Sequence, residues 1–350
     1  QGRLFQPCKV FFRQDAKLGL LVEAIAVMDS ESAQPALYQK QTSSLNEWLW
    51  AKRIAVAGAL QRHQFEEHLM LGHMVMETFV ALAYKHLTAD HYVFKLLEPM
   101  CSDVGFLNRS WGLDLLLSSK GAAYEAFLKF ISPQSMLSRS GLIQQLTRAR
   151  ERFDPRSWFW FDQAGGYMKG GSGVKESTAF PVRDTAEKLF DAMLLWTSAV
   201  VDTYWEEQDE ALQSWWKALW WNPMKLAKRK LSQDTLSHLL ATCILQATYV
   251  HDLAHEAWLH ENHSQLTWTL RDRAPGSTDP RDYLPTAKEQ TIHHLGLLAL
   301  NGSSLESPIL SYRKVFPKES LQQQLKTFED SLTRIVLATP YVKSLGSMSH

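Results

Sequence analysis

The chain reads as one mainly α-helical domain with a small β-hairpin near its amino terminus. Three observations carry that reading. Helical periodicity dominates residues 44–130, 182–221 and 232–262. Strand-like runs are confined to the opening stretch, where Lys9-Val-Phe-Phe12 and Gly19–Val27 form the two arms of the hairpin. No internal repeat appears, and no boundary separates the helical stretches, so residues 1–350 are read as a single domain.

Between the helices, residues 154–180, rich in Gly and Ser, form an irregular connection, and Arg273–Pro285 forms another. Both are placed to act as lids. The run Ala164-Gly-Gly-Tyr-Met-Lys-Gly-Gly-Ser-Gly173 follows no strand-like segment and is therefore a loop, not a phosphate cradle. Leu321–Val342 reads as a last helix before the tail. The pairs Trp215-Trp216 and Trp220-Trp221, with Trp158-Phe-Trp160, suit either helix core or the centre of an interface.

Composition removes several function classes. Thirty-seven basic and 37 acidic side chains cancel, which leaves no electrostatic footprint for nucleic acid or an anionic membrane surface. The hydrophobic fraction of 45% and 13 Trp suffice for a large core. Cys8, Cys101 and Cys243 are too few and too scattered for a disulfide framework. No apolar run reaches the ~18 residues of a membrane span, and the cytoplasm is the default compartment. There is no Gly-x-Ser-x-Gly, P-loop or dinucleotide fingerprint.

Two histidine pairs in long helical patterns, some 180 residues apart, stand out from this background. His68 and His73 lie in Gln64-Phe-Glu-Glu-His-Leu-Met-Leu-Gly-His-Met-Val-Met-Glu77. His251 and His255 lie in Ile244-Leu-Gln-Ala-Thr-Tyr-Val-His-Asp-Leu-Ala-His255. Neutral imidazole is the commonest protein ligand for Fe, Zn, Cu or Ni, and two facing helices can close such a site between them. With 13 His in the chain, close pairs also arise by chance. The apolar surroundings of the second pair (Leu236, Leu239, Leu240, Ile244, Ala247, Val250) argue for burial, where unpartnered imidazoles are costly. His251 and His255, four apart, share one side of their helix. Residues five apart are about 140° apart on a regular α-helix. His68 and His73 can therefore converge only on a widened π-type turn, which Gly72 would ease. Gln64, four before His68, and Glu77, four after His73, are candidates for outer hydrogen-bond partners that orient the rings.

These residues fall within a longer series that resembles the lipoxygenase family. Glu47-Trp-Leu-Trp-Ala-Lys52 is similar to the family's Trp-Leu-x-Ala-Lys segment, and His68, His73 and Glu77 follow at the family's spacings. His91-Tyr-Val-Phe-Lys-Leu-Leu97 resembles its His-Pro-x-Phe-Lys-Leu-Leu stretch, with Tyr92 in place of Pro. Val182-Arg-Asp184 and Asp209-Glu-Ala-Leu-Gln-Ser-Trp-Trp216 resemble two further landmarks. The resemblance implies a helical catalytic domain with one non-haem iron between two long central helices, and dioxygen as co-substrate. In typical members hydrogen is removed from a bis-allylic carbon of a polyunsaturated fatty acid and a hydroperoxide results. By position, the implied ligands are His68, His73, His251 and His255, with Gln64 and Glu77 behind them. Leu71, Trp111, Leu115 and Leu116 would line the substrate and oxygen pocket.

Three departures accompany the matches. The family ends in an Ile whose carboxylate binds iron, whereas this chain ends in His350 after a shorter tail. Either four imidazoles and water hold the metal, or His350 adds a ligand. Trp111 stands where the family has Ala or Gly, and an indole there fills roughly 100 Å3 or more of a pocket. Finally, Gln1–Pro7 resembles a point well inside the family's catalytic domain, so the remainder is expected to be dispensable, cleaved but bound, or supplied by a second chain. The sequence therefore points to an iron oxidoreductase acting on an unsaturated fatty acid or on a smaller lipophilic or amino-acid-derived metabolite. The other reading is a non-catalytic scaffolding subunit of a heterodimeric enzyme.

Overall fold

The turn Asp15–Gly19 shows how the opening residues become a sheet. The Asp15 Oδ1 accepts the backbone N–H groups of Lys17 and Leu18, both at 2.9 Å, and Gly19 takes a positive φ of 77° that a side chain would resist. This reverses the chain between β2 (Cys8–Asp15) and β3 (Gly19–Val27), which pair antiparallel with a bulge at Phe11/Phe12. A third strand, β4 (Ala36–Gln39), adds to the far edge of β3. The predicted hairpin is thus a three-stranded sheet in the order β2-β3-β4. Ala36-Leu-Tyr-Gln39 was missed because a four-residue run beside Pro35 is too short to show alternation. A separate ladder pairs β1 (Arg3–Leu4) with β5 (Leu270–Arg271).

This is a computed structural model that describes residues 3–4, 6–28, 34–101, 144, 181–221, 230–251, 270–271, 277–289, 291 and 312–338. The other described residues are mainly helical, as the periodicity predicts; the predicted helical stretches at 102–130 and 252–262 lie outside them. Helix α1 (Leu45–Arg62) starts at a capping box, in which Ser44 Oγ and N–H both reach Glu47 Oε2 (2.6 and 2.8 Å). Those bonds hold the Glu47 carboxyl below its usual range. The chain then widens into a π-helical segment, His63–Val75, and returns to α geometry in α2 (Met76–His86). Helices α3 (Tyr92–Cys101), α4 (Pro181–Tyr204) and α5 (Glu210–Trp221) follow. Helix α6 (Gln233–Leu245), capped by Ser232, runs into a second π-helical turn, Gln246–Val250.

Arg273–Pro285 departs from the predicted irregular connection, since its described part contains a one-turn helix, α7 (Pro280–Tyr283). Asp279 caps it and Pro280 presets its first φ, a start signal outweighed in the reading by the surrounding Gly and Pro. Helices α8 (Tyr312–Val315) and α9 (Glu319–Ala338) complete the described chain. The connection at 154–180 lies outside the described residues.

Two clusters of buried side chains hold these elements. The larger joins the first π-helical segment with α2 to α6, α8 and α9. At its centre Trp196 stacks on Phe328 (centroids 6.0 Å, planes 11° apart) and meets Phe316 edge-on at 5.6 Å. Trp215 is fully buried there and donates its indole N–H to the Phe79 carbonyl at 3.2 Å, so the Trp215-Trp216 pair serves helix core. The smaller cluster packs β3 on α1 through Ile25, Val27, Trp50, Ala51 and Ile54, with Tyr283 closing it. Among the described residues no helix is long and apolar enough to cross a membrane.

Candidate metal centre

The two π-helical segments pack against each other, and this contact positions the histidines. His63–Val75 sustains the wide turn for 13 residues, which brings residues five apart close to one face. His68 and His73 lie Nε2 to Nε2 at 3.1 Å, with ring centroids 4.8 Å apart. From the other segment His251 places its Nε2 3.1 Å from that of His73, and its centroid lies 4.8 Å from that of His68. His251 is wholly buried, whereas His68 and His73 are partly so. The convergence has a local cause: the sequence places two His five apart, and only the i→i+5 geometry lets them meet.

A nitrogen-to-nitrogen contact is a hydrogen bond only when one ring donates and the other accepts. His73 Nε2 faces two imidazoles at the same distance, and its single N–H cannot serve both. A cation at the common point takes all three lone pairs at once, which is how neutral imidazole binds metals. The spacing fits. Ligands about 2.1 Å from an ion lie about 3.0 Å apart at right angles and about 3.4 Å apart at the tetrahedral angle. The observed 3.1 Å lies between them. The donor set is chemically suited to iron, manganese or zinc. Among the described residues these three are the group of His, Cys, Asp or Glu that could hold such an ion, with ligand atoms all within 4.8 Å of one another.

Other predicted site residues are distributed as follows. Glu77 lies half-buried in the first turn of α2, just beyond the π-helical segment. Leu71 lies on that segment between His68 and His73 and is buried in the larger core cluster. Gln64 belongs to the same segment, but its side chain lies outside the described residues. His255, His350, Trp111, Leu115 and Leu116 also lie outside them. Sequence reasoning missed the second π-helical turn, because Gln246–Val250 carries no glycine and no pair of residues whose convergence demands it.

The landmark segments also acquire a physical role. Val93 N–H donates to His91 Nδ1 at 3.1 Å, which leaves the proton on Nε2 to be donated to Asp209 Oδ2 at 2.9 Å. Asp209 Oδ1 accepts the Leu212 N–H at 2.8 Å and so caps α5. Tyr249 of the second π-helical turn donates to the Val182 carbonyl at 3.1 Å. Arg183, next to it, pairs with Asp184 at 2.7 Å.

Residues 8–140 match the family model described as Lipoxygenase. The chain is related to the lipoxygenases. It is 27% identical over 233 residues to a linoleate 9S-lipoxygenase of Phaseolus vulgaris, a match covering 58% of this chain and 29% of that protein. With linoleate 9S-lipoxygenase-4 of Glycine max it shares 24% identity over 226 residues, covering 56% and 25%. The chain thus spans under a third of these lipoxygenases. Solved lipoxygenases share its fold. The coral 8R-lipoxygenase superposes with a TM-score of 0.79 at 17% identity, covering 98% of this chain and 55% of that one. The manganese lipoxygenase of Gaeumannomyces graminis does so with 0.75 at 16%, covering 96% and 61%. A lipoxygenase solved anaerobically in complex with arachidonate gives 0.78 at 15%, covering 97% and 54%.

Proposed function

We propose that the chain carries the metal centre of a lipoxygenase-like oxidoreductase that removes hydrogen from, or adds dioxygen to, an unsaturated lipophilic substrate. The observation that carries this reading is the meeting of His68, His73 and His251 at their Nε2 atoms. In this reading the three would hold one non-haem iron, with His255 as a fourth ligand and His350 as a further candidate. The ion, when bound, supplies the one-electron chemistry that activates a C–H bond or dioxygen. The chain's own residues do the rest. Burial of His251 would keep bulk water from that ligand, and Leu71 would line the pocket beside the centre. Gln64 and Glu77 would orient the rings of His68 and His73 through their second nitrogens.

The substrate class rests on the relatives, which include enzymes named for linoleate and a lipoxygenase in complex with arachidonate. Should Trp111 intrude on the pocket, a smaller lipophilic or amino-acid-derived metabolite would replace the fatty acid. The solved relatives are longer than the chain, so the remainder of their fold would come from further polypeptide, in this chain or another. The scaffolding alternative gains no support from the comparisons.

The test is direct. The purified chain, supplied with iron(II), is expected to retain close to one equivalent after desalting, and to consume oxygen with linoleate or arachidonate while conjugated-diene absorbance rises. Manganese is the second metal to try, given the manganese lipoxygenase among the structural neighbours. Failure to retain either metal would end the reading. Metal retention without turnover would confine it to the centre and send the search to smaller substrates.

A further inference from the structure

The second π-helical turn contains a polar group that its surroundings do not explain. Gln246 is wholly buried, and neither its Oε1 nor its Nε2 has a hydrogen-bond partner. Its neighbours are satisfied: Thr248 Oγ1 donates to the Ile244 carbonyl at 2.7 Å, and the Tyr249 hydroxyl donates to Val182. A carboxamide has two donors and two acceptor lone pairs, and burying all of them unpaired is costly. A hydrophobic residue would fit such a position better unless the amide has another use.

Its place suggests one. The backbone N–H of His251 donates to the Gln246 carbonyl, an i→i+5 bond. That bond sets Gln246 one wide turn before His251, on nearly the same side of the segment. Residues one turn apart on a helix are neighbours on its surface, so the Gln246 carboxamide and the His251 imidazole rise side by side. The same segment packs on His63–Val75, which bears His68 and His73. π-helical turns, which weaken a helix, concentrate at functional sites.

We propose that Gln246 is a further residue of the histidine centre, its carboxamide serving to hydrogen-bond a small polar ligand, a water or small anion, held there. The inference rests on the metal-site reading above. Gln246 is a positioning residue in this scheme: it orients what the centre holds and is not itself a ligand.

Cobalt(II) and azide are suitable probes, with the whole chain as the protein. Gln246→Met keeps the length of the side chain and removes its polar atoms, and Gln246→Leu is the second variant. Both are expected to take up cobalt as the wild type does. Both should bind azide at least tenfold more weakly, read from the visible absorption of the cobalt protein. Without metal, both should melt at the wild-type temperature or up to about 2 °C above it, because an unpaired amide has been replaced by apolar atoms. Unchanged azide affinity would overturn the proposal. So would a fall in the metal-free melting temperature of both variants, or failure of both to fold, since either means that the amide supports the fold. If the wild type takes up no cobalt, the metal-site reading fails, and the metal-free melts still decide whether the amide is structural.

Discussion

His73 faces two other imidazoles with a single nitrogen, so it sits at the geometric hub of the site. His73→Ala leaves His68 without its near neighbour on the same segment, and His251→Ala removes all that the second segment is seen to contribute. Each substitution is expected to lower retained metal from about one equivalent to a small fraction, with turnover lost alongside, as metal analysis and oxygen uptake would report. Retention of metal and rate by either variant would refute the ligand assignment. Glu77 belongs to a different tier. If it orients a ring, Glu77→Ala should weaken metal binding about 10- to 100-fold, and Glu77→Gln much less, in a chelator competition.

At the scale of elements, the clamp between α3 and α5 joins two segments that stand 118 residues apart in sequence. Asp209 both accepts a hydrogen bond from His91 Nε2–H and caps α5, so Asp209→Ala removes two interactions at once. A lost cap alone costs about 0.5–2 kcal/mol. Asp209→Ala is expected to destabilise by about 1–3 kcal/mol in urea unfolding, and His91→Ala by less. Equal effects would mean that capping contributes nothing. Trp215 makes the matching tie from α5 to α2 through Phe79. These ties give residues 91–97 and 209–216 a structural role, since they hold neighbouring helix ends together. The helices themselves were legible from periodicity. Strand β4 and the turn Gln246–Val250 were not, because four residues show no period and a π turn changes hydrogen bonding without changing composition.

Across the whole molecule, Trp196 is the side chain on which α4, α8 and α9 meet. Trp196→Ala should cost roughly 3–5 kcal/mol, measured as a shift in urea midpoint with unchanged slope. Metal removal is the second global test. A ligand that binds only the native state at 100 times its Kd adds about 2.7 kcal/mol, so chelation should lower the melting temperature by several degrees if the centre is loaded. An identical melt with and without chelator would mean that the purified chain holds no metal. Three histidines of the centre were legible beforehand because imidazole pairs on apolar helices are conspicuous. The burial of Gln246 without a partner for its amide was not legible, because a glutamine in an apolar stretch looks unremarkable in sequence.

The long wide turn at His63–Val75 makes the centre sensitive to sequence length as well as to residue type. Excising one residue between His68 and His73 would set the pair four apart and let the segment relax toward the ordinary helix. Far-ultraviolet ellipticity would hardly notice. The third imidazole, fixed on another part of the chain, would then meet its companions at the wrong height. Function here is therefore exposed to a class of lesion, the single-codon deletion, that the surrounding helices would absorb in silence.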